Sequence, residues 1–159
     1  MLRVLGRPEV AGGVAMSALA GMGAMTLLTF AVPFLTDAGV PSAAVTVVLL
    51  GYGAGCLLGN AAGARLADRG LSTALTITLT GTATALLVAA AVAGYGWASA
   101  AGLAVVGFAY FATFPLLNTW VATRSAGLSP SLGLAVNSSA FNVGIAVDGW
   151  VGGVGASAR

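Results

Sequence analysis

The sequence has no histidine and no lysine, one cysteine, and only six arginines and four acidic residues among its 159 positions. Each shortage excludes something. Without histidine, neither a Ser-His nor a Cys-His catalytic arrangement can form. One cysteine makes no internal disulfide, and no metal site of cysteine and histidine is possible. Six dispersed arginines and a net charge of +2 make no basic patch, so nucleic acid is not an expected partner. Charged residues amount to 6%, against about 25% in an ordinary soluble domain. Such a chain cannot clothe a water-facing surface, and no cofactor or catalytic domain is expected in it.

What is present is apolar. Hydrophobic residues make up 58% of the chain, and the mean hydropathy is +1.01. A spanning helix needs about 20 mostly apolar residues. Five stretches qualify: residues 10–35, 43–64, 72–93, 97–118 and 131–154. The expected fold is an all-α membrane protein of five transmembrane helices in a single partial transmembrane domain, with the lipid bilayer as its solvent. The first stretch is too long for the apolar core of a cleaved signal peptide.

Polar punctuation separates the stretches. Residues Thr36 to Ser42, Arg65 to Gly70, Gly94 to Trp97 and Arg124 to Pro130 form short connections, so neighbouring helices should run antiparallel. Arg3, Arg7, Arg65, Arg69 and Arg124 all fall on one side of a five-helix alternation. Positive loops stay cytoplasmic, which predicts an inner (plasma) membrane protein with its N-terminus in the cytoplasm. Trp97, Trp120 and Trp150 fall near the expected interfaces and read as anchors. Cys56, inside an apolar run, reads as a small packing residue.

Gly51, Gly55, Gly59 and Gly63 recur every four residues and make a slowly winding stripe on the second helix. Such a stripe lets a neighbouring backbone approach closely, the usual means of joining helices in lipid. It serves simple packing, and it equally permits helices to slide or rock. The threonines of the third helix, Thr73, Thr76, Thr78, Thr80, Thr82 and Thr84, can bond to carbonyls of their own helix and need no substrate to explain them. Pro33 and Pro115 mark either kinks or helix ends.

The second helix ends in Arg65-Leu66-Ala67-Asp68-Arg69-Gly70. This stretch resembles the charged loop signature of the major facilitator superfamily, Gly-x-Leu-Ala-Asp-Arg-x-Gly, which lies between the second and third helices of each six-helix half. Ala64 stands where the family usually has glycine, Gly70 follows Arg69 directly, and no further basic residue follows. That is the form typical of second-half copies. Residues Thr29 to Gly39 (Thr-Phe-Ala-Val-Pro-Phe-Leu-Thr-Asp-Ala-Gly) resemble the family's seventh helix. Residues Asn137 to Ala146 (Asn-Ser-Ser-Ala-Phe-Asn-Val-Gly-Ile-Ala) resemble the eleventh helix of the sugar-efflux and chloramphenicol-resistance branch.

The resemblance implies helices seven to eleven of a twelve-helix transporter fold. It further implies a proton-coupled efflux permease for a sugar or hydrophobic drug, of which this chain would be a fragment. The expected partners are the missing helices or a partner half, and a small-molecule substrate in the intact transporter. On its own the chain is not expected to transport, because half of the cavity wall would be absent.

The resemblance assigns Asp68, Arg69 and Gly70 to a conformational gating motif; the plainer reading is a solvated turn that sets orientation. Asp148 lies inside the fifth stretch, and an acid within a span costs at least about 2.5 kcal/mol near the centre. It is a candidate proton or substrate site, or else a residue tolerated near the outer end. Asn137 and Asn142 either line a cavity or, with Asn118, hydrogen-bond between helices. Two further function classes stand beside transport. A small helical membrane protein can act as an assembly or regulatory partner through its glycine stripe. An intramembrane enzyme lacks a plausible nucleophile and base.

Overall fold

A computed structural model describes residues 8–125 and 130–157. Arg3, Arg7 and Arg159, on which part of the expected orientation rests, lie outside the described residues. Five helices account for nearly all of the described chain, and no strand occurs among the described residues. They are α1 (Pro8–Asp37), α2 (Ser42–Ala67), α3 (Leu71–Ala91), α4 (Trp97–Arg124) and α5 (Pro130–Ser157). Helices α2, α3 and α4 are long and apolar enough to cross a membrane. A fourth span counts when Pro8–Ala24 and Thr29–Asp37 of α1 are taken together. Helix α5 has 28 residues, but Asn137, Ser138, Ser139, Asn142 and Asp148 dilute its apolar run.

The helix ends follow local chemistry. Pro8 opens α1, where its fixed φ suits a first turn and its missing N–H costs nothing. Glu9 in that turn complements the helix dipole. At the far end, the Gly39 N–H donates to the Thr36 carbonyl (3.0 Å) and the Val40 N–H to the Leu35 carbonyl (3.0 Å). Gly39 has φ 83°, so the pair of bonds closes a left-handed glycine cap. Leu35 and Val40, which flank the cap, are both buried. Pro41 then blocks continuation, and α2 starts at once.

Four helices (α1, α2, α4 and α5) outrun the apolar windows that announce them. Helix α4 continues from the expected end near Asn118 to Arg124, and α2 from residue 64 to Ala67. Hydropathy marks where lipid lies and is silent on where the hydrogen-bond ladder stops. Pro115 sits well inside α4, and Pro33 lies inside α1 about a turn from its end. Neither proline has an N–H to give, so the carbonyls of Phe111 and Thr29 lose their usual partner one turn on.

The chain forms two compact units, residues 30–116 and residues 1–29 with 117–159. In the 30–116 unit, α2 and α4 run parallel. An ideal Cβ on Gly55 would lie 2.7 Å from the Ala104 carbonyl oxygen; on Gly59 and Gly63 it would overlap the carbonyl oxygens of Phe108 and Ala112. Both helices advance by four residues per contact, and only glycine on α2 leaves room for them. Helix α3 presents Ala74, Leu75, Thr78 and Ala85 inward and leaves Ile77, Leu86, Leu87 and Val88 exposed. Its threonines close on their own backbone: Thr76, Thr80, Thr82 and Thr84 donate to the carbonyls of Ser72, Thr76, Thr78 and Thr80 at 2.7–3.0 Å. The Gly96 N–H donates to the Ala38 carbonyl (2.9 Å), tying the α3–α4 turn to the α1–α2 turn.

In the other unit, Val10, Gly13, Ser17, Gly21 and Ala24 form the buried stripe of α1. Gly21 meets the Phe141 carbonyl and Gly144 meets the Ala18 carbonyl, each so closely that a Cβ would overlap the oxygen. Helices α1 and α5 therefore also touch backbone to backbone.

Candidate functional site

The turn between α2 and α3 is built by glycine. Asp68 keeps helical φ/ψ, the Arg69 N–H donates to the Leu66 carbonyl (3.0 Å), and Gly70 takes φ 114°. A side chain at Gly70 would strain the reversal. The Gly70 carbonyl then accepts the Ala74 N–H (2.9 Å) and starts α3. Asp68, Arg69 and Gly70 are all exposed. Among the described residues, neither Asp68 nor Arg69 enters an ion pair or a side-chain hydrogen bond. The turn thus presents an anion and a cation to its surroundings.

The stripe divides. Gly55, Gly59 and Gly63 are the contact with α4, whereas Gly51 is exposed and a Cβ there would meet nothing within 4 Å. Four residues advance a helix by slightly more than one turn, so the stripe drifts by roughly 40° per step. Over three steps the drift carries one end of the stripe away from a single neighbour. The α4 side answers with Gly107, where a Cβ would lie 2.7 Å from the Tyr52 ring and 3.1 Å from the Cys56 sulfur. Beside this contact Gly53, Cys56, Leu57, Asn60, Phe111 and Phe114 line a cleft of about 280 Å³.

The three polar residues singled out on α5 are not brought together. Asn137 is buried, and its amide donates to the Asn118 carbonyl oxygen on α4 (2.9 Å). Asn142 is exposed and donates to the Ser138 carbonyl of its own helix (2.9 Å). Asp148 is half-buried, and its Oδ1 meets the Thr26 hydroxyl of α1 at 2.6 Å. The spacing Phe141, Gly144, Ile145, Asp148 places the acid on the face of α5 that packs on α1.

One constellation has no local signal in the sequence. Arg124, at the end of α4, forms an ion pair with Glu9 at the start of α1. Its guanidinium also lies 4.3 Å from the centre of the Trp120 ring. The Trp120 indole N–H donates to the Glu9 carbonyl (3.2 Å). More than a hundred residues separate Glu9 from Trp120 and Arg124, so only the packing of α1 on α4 reveals the contact. Trp97 and Trp150, by contrast, are exposed.

Long apolar helices, with their charges mostly at turns and ends, define a multi-pass α-helical membrane protein. The chain is 36% identical over 159 residues, 99% of its length, to the inner membrane transport protein YdhP of Escherichia coli O157:H7. It is 32% identical over 142 residues, 87% of its length, to the uncharacterized MFS-type transporter YtbD of Bacillus subtilis strain 168. Over the residues matched, the chain belongs to the major facilitator superfamily. It spans 40% of the length of the E. coli relative and 36% of that of the B. subtilis relative. No family model matches the chain, and no solved structure does.

Proposed function

We propose that this chain works as part of a secondary active transporter, moving a sugar or a hydrophobic drug out of the cell in exchange for protons. The observation that carries the reading is the similarity along 99% of the chain to a protein named for transport at the inner membrane. The helix contacts support it. At Gly59–Phe108 and Gly21–Phe141 backbone lies directly on backbone, the kind of close contact that permits helices to shift against each other. Alternating access needs such movement around a site near the midplane. Asp68, Arg69 and Gly70 form the gating turn. Its two charges are free to pair with helices of the complete transporter in one state and to release them in the other. The chain lies in the inner membrane with its N-terminus in the cytoplasm.

The test replaces the matching 159 residues of YdhP with this chain. The chimera is assayed in inverted membrane vesicles for each sugar or hydrophobic dye that intact YdhP moves. Uptake driven by an imposed pH gradient and abolished by an uncoupler supports the reading. A chimera that inserts normally yet moves none of those solutes overturns it.

A further inference from the structure

Asn60 is an amide in an apolar span with nothing to bond. It lies seven residues before α2 ends at Ala67. That is about 10 Å along the axis, beyond the reach of so short a side chain. It is exposed, and among the described residues it makes no hydrogen bond. The chain's other asparagines are provided for: Asn118 and Asn137 pair with each other, and Asn142 donates to its own helix. An unpaired amide is costly in hydrocarbon. Asn60 lines the cleft between α2 and α4.

The rest of the cleft defines what fits it. Gly53, Cys56, Leu57 and Asn60 follow one face of α2, and Phe111 and Phe114 line the cleft from α4. The Phe111 ring is met edge-on by Tyr110, with centres 5.5 Å apart and planes at 68°. A Cβ at Gly53 would meet nothing within 4 Å, so the cleft is open there. None of the lining side chains is charged, and an ion finds no partner among them. An apolar cavity of about 150 Å³ takes one benzene ring, so the cleft's 280 Å³ has room for about two. Phenyl rings hold an aromatic plane by offset stacking or edge contacts. One amide offers a donor and an acceptor to a single polar group. A sugar carries a hydroxyl on nearly every carbon, and in this cleft most of them would lose water without gaining a partner.

We propose that the cleft binds an uncharged two-ring aromatic molecule against Phe111 and Phe114, with Asn60 bonding its one polar group. The assignment rests on the transport reading for its purpose. It deepens that reading by choosing a hydrophobic drug over a sugar, and its physical test needs no transport.

The 159-residue chain is reconstituted in lipid nanodiscs. Binding of radiolabelled 2-naphthol, naphthalene and glucose is measured against nanodiscs without protein. The naphthol should bind saturably, and glucose should not bind. Asn60→Leu should weaken 2-naphthol about fivefold, the effect of one ordinary hydrogen bond, and leave naphthalene unchanged. Gly53→Leu, which fills the open part of the cleft, should weaken both aromatic probes. The proposal is overturned if 2-naphthol partitions into protein-free nanodiscs equally well, or if glucose binds as tightly. It is also overturned if Asn60→Leu does not separate 2-naphthol from naphthalene, or if Gly53→Leu weakens neither. Binding that holds while the YdhP chimera transports nothing leaves the site standing and removes the transport reading. A chimera that transports while the chain binds no 2-naphthol does the reverse.

Discussion

Gly59 of α2 lies directly against the main-chain carbonyl oxygen of Phe108 in α4, leaving no volume for even one methyl group. The contact repeats one turn on, at Gly63 and Ala112, and it fixes how closely two parallel helices approach. Where lipid tails are as apolar as leucine, close backbone packing supplies attraction that hydrophobicity cannot.

Gly59→Leu should therefore separate α2 from α4 and cost about 1–3 kcal/mol, the usual range for forced overpacking. Gly51→Ala, on the same helix but facing open space, should leave stability unchanged or slightly raised. Unfolding in mixed micelles of increasing denaturing detergent would measure both. Equal losses at the two positions would refute the contact as drawn.

At Gly39 a Cβ would meet nothing within 4 Å, so any cost of substitution there is conformational. With φ at 83°, Gly39→Ala should destabilise by about 1–2 kcal/mol through the left-handed backbone alone. Gly39→Asn should recover part of that loss, because asparagine tolerates this region. The same unfolding assay separates the two variants.

The amide pair Asn118–Asn137 joins α4 to α5. Asn137→Ala should cost about 0.6 kcal/mol, the average for such bonds in membranes, and at most about 1.7. The double variant with Asn118→Ala should lose less than the sum of the two single losses. Strict additivity in this cycle would show that the bond contributes nothing.

Arg124 and Glu9 are respectively 38% and 57% exposed at the side chain, so their pairing is screened by solvent. Glu9→Gln should cost below about 1 kcal/mol, and the cost should shrink with added salt. Trp120→Leu removes both the ring beneath the guanidinium and the N–H bond to the Glu9 carbonyl. It should cost more than Glu9→Gln and respond less to salt. A thermal unfolding series in two salt concentrations would rank them.

The all-helical membrane class, the punctuation between helices and the family resemblance were legible in the residues alone. They depend on local properties: apolar runs long enough for a bilayer, a proline or glycine at a helix boundary, threonines that bond their own backbone. A side chain's neighbours across the bundle were not legible. These helices are apolar nearly all round, so no polar face marks which side turns toward lipid and which toward protein. The glycine repeat announced a close approach without showing that Gly51 stands outside it. Asp148 stood out as an acid in a span, yet nothing in its vicinity names Thr26 as its partner. Glu9 drew no notice until α1 packed beside Arg124.

The sequence by itself determined that this protein lives in lipid, that it folds as helices, and where those helices turn, because the cost of an unsatisfied backbone in hydrocarbon leaves no other solution. The tertiary structure alone decided which glycines meet which carbonyls, which asparagine finds an amide, and which hydroxyl faces Asp148. Those contacts join residues distant in the chain, and they arise from side-chain volume and the rotation of one helix against another, neither of which a local pattern records.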